Sequence, residues 1–182
     1  MLEKNNLFKF ATKELSQDAF ICWCINWINY PNDNKKLYEM AQKIVLKLLD
    51  ETEYTDKMKI KIVRQYENID ILLLFNELNK IYIIEDKTTS FLKENKNEIQ
   101  LIRYSEKIKN SLKKINEKYG CNFKFKNIII KKIFLKTGYW FNQDYKIQEE
   151  YKDVKTINRK QILEILKEYK NENNSLHKTK IS

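Results

Sequence analysis

The chain has 182 residues, 42% of them hydrophobic and 33% charged, which suits one globular domain with its own core and is too apolar for a disordered chain. Two glycines, one proline and a single histidine, His177, argue against collagen-like or linker architectures, Gly-rich phosphate loops, Ser-His-Asp triads and His-based zinc sites. The net charge is +10, and ten lysines against two glutamates lie between Glu106 and Lys136. That concentration is the footprint of a surface for an anionic polymer, although a composition rich in Lys, Asn and Ile accounts for part of the charge.

In chain order, Ser16 is a helix cap, with Asp18 in the first turn. Phe20, Ile21, Trp23, Cys24, Trp27 and Ile28 then make an apolar stripe at helical spacing. Pro31 breaks the chain. A second helix is expected over about 35–50, where Leu37, Met40, Ala41, Ile44, Val45 and Leu48 repeat at three- and four-residue steps. The period then becomes two. A strand starts near Met58, Glu67-Asn68 is a turn, Ile69 to Phe75 is a strand interrupted by Asp70, and Lys80 to Lys87 is a third strand. Runs apolar on both faces imply a sheet covered on both sides. A loop (88–93) precedes one long helix over 95–118, ended by Gly120. Phe123 to Leu135 reads as a strand, Gly138 to Gln148 as an aromatic and polar loop, Val154 to Ile157 as a short strand and Arg159 to Tyr169 as a helix. The expected class is α/β, a mixed sheet between helices in the order α-α-β-β-β-α-β-β-α. Residues 1–170 read as a single domain, and 171–182 as a disordered tail.

Cys22, Cys24 and Cys121 are an odd set, the first two inside an aromatic run, so free thiols and a reducing, cytoplasmic compartment are expected. Met1 to Lys9 is polar and charged, unlike a secretion signal, and no apolar stretch approaches membrane-spanning length, so no membrane partner is expected.

The conspicuous chemistry is acid within apolar strands, where an unpaired charge is costly. A four-residue turn, Asn76 to Asn79, sets Phe75 opposite Lys80, and counting back five places along each strand sets Asp70 opposite Glu85. Directly opposed residues have Cβ atoms ~5 Å apart. Glu85 and Lys87 share a face and Asp86 takes the other. Asp70 and Glu85 would repel unless a cation lies between them, and a hard divalent ion such as Mg²⁺ (or Mn²⁺) meets that need, with Lys87 beside it to orient or deprotonate a bound water. The plainer alternative is a structural ion pair of Asp70 and Glu85 with Lys87.

An Asp, a hairpin and then Glu-x-Lys closing the next strand resembles the PD-(D/E)XK nuclease superfamily, with its restriction-endonuclease-like fold. The opening Leu7-Phe8-Lys9-Phe10-Ala11-Thr12-Lys13-Glu14-Leu15-Ser16-Gln17-Asp18-Ala19-Phe20 is similar to small bacterial members. Gln100 and Tyr104 match a Gln-x-x-x-Tyr pattern of some branches, and Phe134-Leu135-Lys136-Thr137-Gly138 is also similar. The resemblance spans most of residues 7–165; the Pro of the family name is Ile69 here, a position that does not ligate. It implies a metal-dependent nuclease acting on nucleic acid, DNA first. Asp70, Glu85 and the carbonyl of Asp86 would hold the metal, joined by Glu14, and Lys87 would act on the water. Gln100 would contact a phosphate or metal-bound water. Gln17, Tyr104, Lys107, Lys113, Lys114, Lys124 and Lys126 would contact nucleic acid; Gln17 and Asp18 are also candidates to face the metal site. The alternatives are a catalytically silent nucleic-acid-binding or partner-binding module on the same fold, or a subunit of a homodimer or defence-type assembly using Trp23, Trp27 and Tyr30 as its interface. The sequence carries no base-reading motif.

Overall fold

Where apolar residues stop recurring at helical steps and become continuous, the chain passes from helix to sheet. A computed structural model describes residues 17–55, 58–87, 94–95 and 98–167. Helix α1 spans Gln17–Asn26 and runs into a 3₁₀ turn, Trp27–Asn29. Helix α2 spans Lys35–Leu49, with the Asn34 side chain accepting the Leu37 N–H at its start and Asp50 in a left-handed conformation at its end. Strands β1 (Lys61–Tyr66), β2 (Ile69–Phe75) and β3 (Lys80–Lys87) form an antiparallel meander. Glu67 and Asn68, both at positive φ (49° and 74°), make the two-residue turn between β1 and β2, the geometry whose twist suits a hairpin.

A two-residue pair, β4 (Glu94–Asn95) and β5 (Glu98–Ile99), leads into α3 (Gln100–Asn110). The single long helix expected over 95–118 is instead two, because the chain leaves helical geometry at Ser111 (ψ 6°) before α4 (Leu112–Tyr119). Gly120, at φ 58°, closes α4 in the left-handed cap expected from the sequence. Strand β6 spans Ile129–Lys136, and its expected first residues instead hold one 3₁₀ turn, Phe125–Asn127. The segment read as a loop contains a helix, α5 (Asn142–Glu150). Its only apolar inward residue is Ile147, too little for a periodic signal, and its other inward residue is the charged Asp144. Strand β7 (Val154–Asn158) follows, then helix α6 over 159–167. Asn158 and Gln161 cap α6 reciprocally, each side chain accepting the other's backbone N–H.

The observed architecture is α/β: a five-stranded mixed sheet, β1-β2-β3-β6-β7, in which β6 runs parallel to both β3 and β7. One face packs Ile71, Leu73, Tyr82, Ile84, Leu135 and Ile157 against α1, α2 and α6. The other packs Leu72, Leu74, Ile81, Ile83, Phe134 and Val154 against α3, α4 and α5. Central strands buried on both faces account for the near-continuous apolar runs. The register sets Phe75 opposite Lys80 and Ile71 opposite Ile84, so the next step sets Asp70 opposite Glu85 as counted from the sequence. Gln65, at φ 52°, interrupts the alternation of β1: Val63 and Tyr66 both enter the core on the α3/α4 side although three residues apart. The expected tail and the segment Leu7–Ser16, with Glu14, lie outside the described residues, as does the expected loop at 88–93. Among the described residues no helix is long and apolar enough to cross a membrane, and Cys22, Cys24 and Cys121 are free thiols.

Candidate active site

The edge of the sheet formed by the start of β2 and the ends of β3, β6 and β7 carries the candidate site. Asp70 is half-buried at the β2 start, and its Oδ2 accepts the backbone N–H of Asp86 at 3.0 Å, which ties the two strand ends together. Glu85 is 1% exposed. Its Oε1 accepts from the ammonium of Lys87 and, at 3.0 Å, from Gln100 Nε2. Lys87 Nζ also lies 3.9 Å from Asp70 Oδ2. Gln100, at the first position of α3, bonds in turn to the hydroxyl of Tyr104 one turn later, and that hydroxyl donates to the Asn68 carbonyl at 2.6 Å. Asp70, Glu85, Lys87, Gln100 and Tyr104 are thus one connected network, the first three on the face counted from the sequence and the last two the pair given by the resemblance.

Two atoms of the network have no hydrogen-bond partner among the described residues although both are buried: Glu85 Oε2 and Gln100 Oε1. Burial pushes the Glu85 carboxyl up from 4.5 to about 7, Asp70 adds to the rise, and the hydrogen bonds from Lys87 and Gln100 oppose it without cancelling it. Burial by itself would lower Lys87, but the hydrogen bond and charge of Glu85, with the charge of Asp70, outweigh it and hold the ammonium above its ordinary range. Burial likewise raises Tyr104.

A carboxylate oxygen held dry beside a second carboxylate is a donor set for a hard cation. Mg²⁺ typically binds through one or two carboxylates and keeps several waters, so Asp70 and Glu85 fit it. Among the described residues no third acidic, His or Cys side chain joins them. A further protein oxygen would come from a main-chain carbonyl, as the resemblance implies for Asp86.

The remaining candidates divide by position. The Asp86 side chain follows Ile84 onto the opposite face, where its charge and those of Asp18 and Arg64 act on Cys22. Asp18 pairs with Arg64 at 3.0 Å on that same face, so it does not join Asp70 and Glu85. Gln17 begins α1, and its side chain lies outside the described residues, as does Glu14. Lys107 and Lys114 both reach the Glu67 carboxylate at the β1–β2 turn, at 3.2 and 3.1 Å. Their hydrogen bonds, that of Lys114 foremost, hold Glu67 below its ordinary range. Lys113 is exposed on α4. Lys124 is fixed by its backbone to the Asn79 side chain at the other end of the β2–β3 hairpin, with Lys126 in the turn beside it. Five strand residues at ~3.3 Å each put that end roughly 17 Å from Asp70, so Lys124 and Lys126 are not brought to the carboxylates.

Sequence reasoning missed one group at this edge. Lys136 ends β6 in register with Lys87. It is fully buried, and its Nζ lies 3.5 Å from the equally buried Asp144 of α5. The signal was present, since Lys136 ends an apolar run as Lys87 does, but its partner sits in a helix read as a loop. Comparison of the chain with protein-family models, with curated proteins and with solved structures finds no match.

Proposed function

We propose that the chain is a metal-dependent nuclease that hydrolyses phosphodiester bonds of nucleic acid, DNA first, on a restriction-endonuclease-like fold of the PD-(D/E)XK type. The observation that carries this reading is Glu85, a nearly inaccessible carboxylate beside Asp70 whose second oxygen has no partner among the described residues. A structural ion pair serves stability only when its geometry satisfies the buried charge. Here Lys87 and Gln100 together leave the Glu85 carboxyl at about 7, so the network still lacks positive charge, which a divalent ion would supply.

Asp70 and Glu85 would hold Mg²⁺ or Mn²⁺ with the Asp86 carbonyl. When bound, the ion polarises a phosphate oxygen and lowers the pKa of a bound water. Lys87, held protonated between two carboxylates, donates rather than accepts. Its role is to orient the attacking water and to meet the negative charge that develops on the phosphate. Gln100 keeps Glu85 Oε1 in place, and Tyr104 anchors Gln100 to the β1–β2 turn. Lys107 and Lys114, beside the same turn, supply positive charge near the flanking backbone.

The test is cleavage of plasmid, linear duplex, single-stranded DNA and RNA with and without Mg²⁺ or Mn²⁺, using wild type, Asp70→Ala and Lys87→Ala, each verified as folded by circular dichroism. Metal-dependent cleavage by wild type, reduced at least 100-fold in both variants, is the expected result. Equal cleavage by wild type and Lys87→Ala, or no cleavage of any substrate, refutes the reading.

A further inference from the structure

A cavity of about 560 Å³ opens beside the candidate site, a volume in the range of small-molecule sites. Its lining includes Tyr139, Trp140 and Tyr145 together with Thr156, Asn158 and Arg159. Register fixes its position. Glu85, Phe134 and Thr156 are neighbours across β3, β6 and β7, and Lys87, Lys136 and Asn158 form the next row. In-register neighbours of a parallel ladder share a face, and strands lie ~4.8 Å apart. Thr156 and Asn158 thus share the face of Glu85 and Lys87, about 10 Å away across β6. Arg159, Lys160 and Glu164 belong to α6, which packs on the other face. The cavity therefore lies at the β7 edge of the sheet, by the same strand ends. The junction is direct, since the Thr137 N–H donates to the Lys87 carbonyl at 3.2 Å and the next residue, Gly138, lines the cavity.

The lining has two chemical parts. Tyr139 is 87% exposed and Tyr145 52%, so both rings are open to solvent. Trp140 stands between core and cavity, with its ring 6.3 Å from Phe134 and 5.2 Å from Tyr145. Its indole N–H is buried without a hydrogen-bond partner among the described residues. Around these rings Arg159, Lys160 and Lys167 oppose a single acid, Glu164. Rings for flat apolar faces and cations for a backbone make the combination that binds unstacked nucleic acid. A paired duplex keeps its bases stacked inside and offers a concave aromatic cavity nothing to receive.

We propose that this cavity is a base-stacking subsite, and that the substrate is single-stranded nucleic acid, or a strand with an unpaired base next to the bond at the carboxylate site. The inference rests on the nuclease reading above and adds the form of its substrate. Tyr139 and Tyr145 are stacking surfaces, Trp140 is the floor between them, and Arg159 and Lys160 meet the phosphates on either side.

The experiment measures binding of the full chain to a fluorescein-labelled oligo(dT) and to a duplex of equal length, both in EDTA so that no cleavage intervenes. Variants are Tyr139→Ala and Tyr145→Ala, with Trp140→Phe as a conservative change at the partly buried ring. Wild type is expected to prefer the single strand. Tyr139→Ala and Tyr145→Ala are expected to raise its dissociation constant between about 5-fold and 150-fold, the range for loss of one stacked base, with duplex binding unchanged. Trp140→Phe keeps most of the affinity because it keeps a ring. Unchanged single-strand affinity in both tyrosine variants overturns the subsite, as does an equal loss for duplex. If Lys87→Ala also loses metal-dependent cleavage, that result removes the cleft and leaves the nuclease reading intact. Ring-dependent single-strand binding without metal-dependent cleavage supports the cleft and refutes the nuclease.

Discussion

Replacing Glu85 with Gln tests the electrostatics of the site without any assumption about substrate. In the native protein Glu85 keeps its proton up to about pH 7, whereas the unfolded chain releases it near 4.5. Between those values the native state binds more protons, so stability falls as pH rises, and the loss is complete above the native value. A rise from 4.5 to about 7 corresponds to about 3 kcal/mol, undiluted by solvent because the side chain is only 1% exposed. Glutamine has the shape of the protonated acid and no titration. The variant also changes packing and hydrogen bonds, but that offset is the same at every pH, so the readout is the slope. Urea midpoints of wild type and Glu85→Gln are measured from pH 4 to pH 8 in EDTA. The difference is expected to move by about 3 kcal/mol in favour of the variant, or roughly 6–12 °C if melting temperature is read instead. Repeating the pH 8 measurement in Mg²⁺ should recover much of the loss in wild type and little in the variant. A difference that stays flat from pH 4 to pH 8 refutes the reasoning, because Glu85 would then titrate alike folded and unfolded.

Further outcomes follow from other parts of the fold. Asp144→Asn leaves the fully buried Lys136 ammonium without its counter-charge and should cost about 3–5 kcal/mol, whereas Lys136→Met combined with Asp144→Asn should cost much less; equal urea midpoints for the single and double variants would refute the pairing. Among the described residues, Gly120→Ala places a Cβ near only Lys61 Nζ, at 3.6 Å, but must hold φ at 58°, so its expected cost is conformational, about 1 kcal/mol by thermal melting. Burial raises all three thiols, Cys24 to about 12 and Cys22 further. The half-buried Cys121 should therefore react with a thiol-specific chromogenic disulfide at pH 8 before the other two, which should wait for denaturant; early labelling of Cys22 would contradict the packing of α1 on the sheet.

The parts of the fold legible in the sequence are those where one residue period dominates. Helix α2 has six buried residues at three- and four-residue steps, and its observed end lies one residue from the expected one. Strands β2 and β3 read as apolar runs, and because a four-residue turn fixes register, the facing of Asp70 and Glu85 follows from counting along the two strands. Gln100 and Tyr104 were identified by resemblance, and they fall one helical turn apart on the face of α3 that meets Glu85. What escaped was decided by single contacts. Ser111 breaks a helix whose inward residues continue on both sides of it, since Ile108, Leu112 and Ile115 are all buried. Helix α5 buries only Asp144 and Ile147, which leave no periodic trace. The lysines of the basic segment looked alike in sequence, yet sheet topology sends Lys107 and Lys114 to the β1–β2 turn and Lys124 to the far end of the hairpin.

The distribution of buried charge separates this edge of the sheet from the rest of the molecule. Among the described residues the buried polar or charged side chains are Glu85, Ser105, Lys136 and Asp144. Ser105 returns its hydroxyl to the Ile102 carbonyl within its own helix. The other three lie at the ends of β3 and β6 or against them. In the sheet centre every inward position from Leu72 to Phe75 and from Ile81 to Ile84 is apolar or aromatic. A fold selected for stability alone would carry the same apolar pattern to the strand ends, because well-packed hydrophobic residues in place of a buried pair are often neutral or stabilising. Desolvation cost gathered at one edge, beside an aromatic cavity and with Glu85 Oε2 unpartnered among the described residues, is the pattern expected where stability is given up for binding. If that is the cause, Glu85→Gln should leave stability equal or higher at pH 8 while lowering activity. A loss of stability at pH 8 would instead assign the Glu85 charge to the core.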